Sequence, residues 1–305
     1  EKIASMGFDH VLIPVDEMHL WDEEGQRHED AFQLLHSAIG WAFDQELRVI
    51  VDLHVLRSHH FNAADQALWT DPAAQEKFWG FWEELSAELV RYPVDRLAYE
   101  LMNEAVADDP EDWNKLIGKG IETVRAREQE RVIVVGSNQW QQVHTFKDLK
   151  VPEGDKNLIL SFHYYDPFII THYKAPWTGI LKEYAGPVNY PGYTVSDADL
   201  QGLDPALVQR LEDSNADWTP ERFEADFMKA KKVADELGLP LFCGEFGWYP
   251  TTPLELRVAY YRDLIGVIEK LDIAYTHWNY KNDFPVVDAE SLEPIREVVD
   301  ALLGN

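Results

Sequence analysis

The sequence predicts an α/β fold of the (β/α)8 barrel class, in a single domain spanning residues 1–305. Three observations point there. Short runs rich in β-branched and aromatic residues alternate with longer stretches whose apolar residues recur every three or four positions, the pattern of a parallel sheet covered by helices. The short runs end on polar, titratable or aromatic groups, and a barrel gathers such ends on one mouth. No G-x-G-x-x-G or Walker sequence appears, whereas an open doubly wound sheet concentrates its chemistry at one switch point, usually beside a glycine-rich turn.

Residues 1–6 read as the last turns of a helix, so the first of eight strands is expected upstream of Glu1. Seven strands are then expected at 8–15, 48–54, 97–103, 132–136, 158–165, 241–247 and 274–280. Their C-terminal edges carry Asp16, His54, Asn103-Glu104, Ser137-Asn138, His163 with Tyr165, Glu245 and Trp278. Phe78, Trp82, Leu85 and Leu89 share one face of a helix, as do Phe223, Phe227, Val233 and Leu237. Pro220 and Pro253 sit near helix starts, where a missing backbone donor costs least, and Gly238 followed by Pro240 stops a helix before the next strand. The one long connection, 166–218, carries Trp177, Tyr184, Tyr190 and Tyr193 among several prolines, and a loop of that length is usually functional.

Composition narrows the partners. Hydrophobic residues make up 46% of the chain, enough for a sizeable core, and no apolar run is long enough to cross a bilayer. Glu1-Lys2-Ile3 opens no secretory signal pattern. A formal charge of -28 repels phosphate backbones and anionic lipid, so neither nucleic acid nor membrane is expected as a partner, and a neutral substrate fits best. The single cysteine, Cys243, makes no intrachain disulfide.

Glu245 stands in Cys243-Gly244-Glu245-Phe246-Gly247, a strand otherwise without charge. An ionised carboxylate facing a packed core is very expensive, so it is expected to face a polar cavity or a cation. Glu104 follows an apolar strand, where burial holds a carboxyl partly protonated for general acid work. Two glutamates on different strand ends are what glycoside hydrolysis uses. His163 and Tyr165 lie two apart on one strand, hence on one face, and are placed to orient a carboxylate, while Tyr164 points the other way. His54, with His59 and His60 after it, raises metal ligation as a second reading, but no H-E-x-x-H accompanies them. Of eleven tryptophans, Trp21, Trp69, Trp140, Trp177, Trp248 and Trp278 fall at strand ends or in loops, where flat rings pack against sugar C–H faces. Trp41, Trp79, Trp82 and Trp113 follow helical periodicity and are expected in the core.

With Asp52-Leu53-His54, Asn103-Glu104, His163-Tyr164-Tyr165, Gly244-Glu245-Phe246-Gly247 and Trp278 in this order, the chain resembles glycoside hydrolase family 5, the cellulase-like family of retaining barrels, from Phe8 to the final helix. The resemblance implies Glu104 as acid/base and Glu245 as nucleophile. It also implies Asn103 on the sugar 2-hydroxyl, His163 and Tyr165 arranging the carboxylates, and His54 and Trp278 lining the subsite beside the scissile bond. A retaining enzyme holds its two carboxyls roughly 5 to 5.5 Å apart. No cofactor or metal is expected, and a secreted enzyme is. The implied substrate is a β-1,4-glucan cut internally, with mannan, xylan or exo action on an oligosaccharide as alternatives, and a non-catalytic sugar-binding barrel as a reading of another class. One departure stands out: the family's Val-Arg-Ile-Pro is Val11-Leu12-Ile13-Pro14 here, and Arg57 is the candidate replacement for the missing cation.

Overall fold

The computed structural model describes residues 1–64 and 66–304. All seven expected strands are present: β1 (His10–Asp16), β2 (Arg48–Val55), β3 (Leu97–Glu100), β4 (Ile133–Gly136), β5 (Leu158–His163), β6 (Leu241–Glu245) and β7 (Ala274–Tyr275). They form one sheet in that order, and β1 through β5 pair in parallel. The main helices are α1 (Lys2–Met6), α2 (Glu29–Asp44), α3 (Pro72–Leu89), α4 (Pro110–Arg125), α5 (Pro220–Leu237), α6 (Leu254–Lys270) and α7 (Arg296–Leu302).

The punctuation works as the residue types dictate. Asp71 and Asp109 cap α3 and α4, each accepting at 2.9 Å from a backbone N–H of the first turn, with Pro72 and Pro110 where no amide donor is needed. Gly238, at φ 63, supplies the left-handed residue that ends α5. Four strands stop short of the expected ends: β3 at Glu100, β5 at His163, β6 at Glu245 and β7 at Tyr275. Beyond those points the backbone leaves the ladder to aim side chains, and Glu104 sits in the left-handed region at φ 43.

The chain divides into two compact units, with boundaries inside β5 and β6. The first comprises Glu1–Phe162 and Lys229–Phe242. Its core is built on Val49, Val51, Leu53, Tyr99 and Val135 of the sheet and Phe78, Trp82, Leu85 and Trp113 of the helices, all buried. The second comprises His163–Met228 and Cys243–Asn305, packed around Phe223, Phe227, Phe246, Trp248, Tyr260 and Tyr261. The long connection lies in this second unit and is not structureless: it holds a short helix (Pro205–Glu212) and a ribbon pairing Gly192–Tyr193 with Asp217–Trp218.

Candidate active site

In the first unit, chemistry gathers where β2, β3 and β4 end. The Asn103 N–H donates to the Leu53 carbonyl at 3.2 Å, extending the pairing of β2 and β3 and setting Asn103 and Glu104 beside His54. The Glu104 N–H donates to Gln141 Oε1 at 3.1 Å. Gln141 reaches this position because residue 136 is glycine: a Cβ there would collide with the Gln141 side chain. Its amide nitrogen also bonds Glu100 at 3.2 Å and the Ser161 hydroxyl at 3.0 Å, so one buried side chain ties three strand ends together.

Glu104 is buried, and its carboxyl is pushed up to about 8, chiefly by desolvation and further by the nearby Asp52 anion, with His54 opposing. A carboxyl in that range is protonated at neutral pH and is able to donate. Asp52 and His54, two apart and on one face of β2, are joined by a 2.6 Å bond from Nδ1 to Oδ2. Trp140 lies beside Glu104, its N–H donating to the Ala105 carbonyl at 3.1 Å and its indole N–H to the Phe61 carbonyl at 2.9 Å. Gln139, Trp140 and Gln141 all have positive φ, from 51 to 60, and Trp140 in this turn is 38% exposed. Strained non-glycine backbone concentrated at one spot is typical of functional turns.

The second unit holds Glu245, buried at the end of β6. The Tyr165 hydroxyl donates to Glu245 Oε2 at 2.9 Å, and His163 Nδ1 lies 3.5 Å from the same oxygen. Tyr164 points away as alternation requires, its hydroxyl donating to Asp226 at 2.9 Å. Trp278 is half-buried, with its N–H donating to the Phe246 carbonyl at 2.9 Å. Gly247 makes that approach possible, since a Cβ there would overlap the Trp278 carbonyl and crowd Phe284. Phe284 packs against Tyr165 and His172, with ring centroids 5.6 and 5.1 Å apart. From the long connection Trp177, 46% exposed, joins the same aromatic group through Tyr249.

Four expectations need correction. The Arg57 guanidinium is engaged by the buried Glu17 at 2.9 Å and by the Trp21 carbonyl at 2.8 Å, so the cation lost at Leu12 is not replaced by it. Glu17 needs that partner because it is 1% exposed. Trp248 is fully buried against Tyr260 and Tyr261 and offers no face to a sugar. Trp21 is likewise buried, stacked on Phe81 at 4.3 Å. Trp41, expected in the core, is 63% exposed, because α2 buries Phe32, Leu35, Ile39 and Ala42 instead.

The three histidines near the end of β2 have separate partners. His54 bonds Asp52, His59 accepts from the Val106 N–H at 3.3 Å, and His60 stacks on Phe61. Gln141, Phe284 and His172 were not legible as site residues: Gln141 needs the left-handed turn, and the other two arrive through packing. Asp52 had a signal, its two-residue spacing from His54.

Parallel β/α units that set a protonated carboxyl at the end of one strand and a hydrogen-bonded carboxylate at the end of another define a glycoside hydrolase. The chain belongs to the cellulase family, glycosyl hydrolase family 5, whose model matches residues 1–284. It is similar to Endoglucanase C of Acetivibrio thermocellus, 29% identical over 306 residues that cover 99% of this chain and 89% of the relative. Cellodextrinase A of Ruminococcus flavefaciens is 26% identical over 278 residues, covering 90% and 75%. Among solved structures, Thermotoga maritima Cel5A in complex with cellobiose matches with a TM-score of 0.79 at 23% identity, covering 99% of this chain and 88% of that one. Cellulose synthase subunit Z of Clostridioides difficile matches at 0.81, also at 23% identity, covering 99% and 89%. These structural likenesses are of fold, the (β/α)8 barrel.

Proposed function

We propose that this glycoside hydrolase is an endo-β-1,4-glucanase in which Glu104 is the acid/base and Glu245 the nucleophile of a retaining double displacement. The observation that carries the reading is the contrast between the two carboxyls. Burial keeps a proton on Glu104, as an acid needs, whereas Glu245 receives a phenolic hydrogen bond of the kind that steadies an anion. Glu245 attacks the anomeric carbon while Glu104 protonates the leaving oxygen. Water deprotonated by Glu104 then breaks the glycosyl-enzyme ester, and configuration is kept. Asn103 contributes a hydrogen bond to the 2-hydroxyl of the reacting sugar, and His54, Trp278 and Trp140 contact the chain around it.

The choice of glucan is supported by full-length similarity to proteins named endoglucanases. Reducing ends and product sizes released from soluble cellulose, mannan and xylan test it. Early long products from cellulose are expected, and release only of short products from chain ends would overturn the endo assignment. A 2-fluoro cellobioside carrying a good leaving group is expected to label Glu245 covalently. A polymeric substrate is met outside the cell, so the enzyme is further proposed to be secreted, which fractionation of the producing cells tests.

A further inference from the structure

Asp52 is a fully buried carboxylate whose side chain, among the described residues, bonds one other side chain. It sits in β2 in register with Pro14 and Glu100. Its Oδ2 is 2.6 Å from His54 Nδ1, and its Oδ1 has no hydrogen-bond partner among the described residues. Carboxylates kept for architecture in this chain behave differently: Asp71 and Asp109 satisfy backbone amides at helix starts. A buried charge costs several kcal/mol, and leaving one oxygen unpartnered adds to that. A cost kept without a structural return marks a position set by function.

We propose that Asp52 is a positioning residue: it fixes His54 as the Nδ1–H tautomer and thereby sets the orientation of the Asn103 amide that meets the substrate. The proposal rests on the glycosidase reading above. A carboxylate only accepts, so His54 Nδ1 must carry the hydrogen, and in the neutral ring Nε2 is then an acceptor. Asn103 Nδ2 stands 3.5 Å from that nitrogen, a long contact that is attractive in this tautomer. With the hydrogen on Nε2 instead, two N–H groups would face each other and the amide would turn. The Asn103 backbone is already pinned to Leu53 and the residue is 2% exposed, so the side-chain amide is what remains to be oriented. Hydrogen bonds to the 2-hydroxyl strengthen in the transition state, so the orientation of this amide bears on rate.

The test compares an aryl β-cellobioside with its analogue lacking the 2-hydroxyl on the reacting sugar, using wild type, Asp52→Asn and Asn103→Ala. Asparagine keeps the shape of Asp52 but is able to donate to Nδ1, which favours the other tautomer, as in the serine-protease triad. Wild type is expected to prefer the full substrate strongly. Asp52→Asn should lose about ten- to a hundredfold in kcat/KM on the full substrate, with a much smaller loss on the 2-deoxy substrate. Discrimination between the two then collapses toward that of Asn103→Ala. Equal losses on both substrates, with discrimination intact, would mean a merely structural role and overturn the proposal. The wild-type protein supplies a second measurement: 15N shifts, assigned with a His54→Gln control, should place the pyridine-type nitrogen of His54 at Nε2, and finding it at Nδ1 overturns the proposal without any Asp52 variant. A wild type inert toward aryl cellobiosides and glucan alike would instead remove the glycosidase reading, and the proposal with it.

Discussion

The Tyr165 hydroxyl donates to Glu245 Oε2 at 2.9 Å, from two residues beyond His163, which approaches the same oxygen. A hydrogen bond to a charged group is worth about 1.5 to 3 kcal/mol, so Tyr165→Phe is expected to lower kcat about ten- to a hundredfold. Thermal stability should change little. Steady-state kinetics beside a melting curve check this, and an unchanged kcat would show that the phenol does not serve the nucleophile.

The Glu104 carboxyl, raised from the ordinary 4.5 to about 8, makes two predictions of known sign. In the proposed role of general acid it must be protonated, so kcat/KM is expected to fall as pH rises through about 8. The folded state also holds a proton that the unfolded chain has released, so the stability this group contributes below 4.5 is lost as pH climbs toward 8. Glu104→Gln removes that dependence, and should raise the melting temperature over wild type by more at pH 8 than at pH 5. A difference that is equal at the two pH values would contradict the raised value.

Arg57 is expected to matter for stability rather than chemistry. Among the described residues, Arg57→Ala leaves the buried Glu17 with Lys77 at 3.1 Å as its cation, beside the residue-57 backbone N–H at 2.8 Å. A loss of about 2 kcal/mol, hence a drop of several degrees in melting temperature, is the expected result, with kcat near wild type at a temperature where both are folded. A large fall in kcat without destabilisation would restore the catalytic role that the structure denies it.

Three desolvated histidines predict acid sensitivity. Desolvation lowers His59 to about 4, and His172 and His277 to about 3, from the usual 6.5. Below 6.5 the unfolded chain binds protons that the folded one refuses, so stability present at neutral pH is lost as pH falls. Glu104 titrates in the opposite sense, so the comparison belongs in the Glu104→Gln protein. Its urea midpoint should fall between pH 7 and pH 5, and a constant midpoint would show that these rings are protonated in the native state.

Strand positions were legible because β-branched runs between amphipathic helices admit few other arrangements, and the strand ends named Glu104, Asn103, His54, His163, Tyr165 and Glu245 directly. Aromatic residues were read less well. A tryptophan in a loop looks the same in sequence whether it is buried, as Trp21 and Trp248 are, or presents a face, as Trp140 and Trp177 do. Helical spacing likewise placed Trp41 on a buried face, but the apolar stripe of α2 runs one step aside of it.

The sequence by itself determined which residues are candidates for the chemistry, since period-two alternation puts His163 with Tyr165, and Asp52 with His54, on shared faces whatever the rest of the chain does. Only the tertiary structure decided what those residues meet. Gln141 reaches the Glu104 amide because Gly136 leaves room for it, and Arg57 turns to Glu17 because an unpaired buried carboxylate is too costly. Burial and partner choice depend on neighbours distant along the chain, and local spacing holds no record of them.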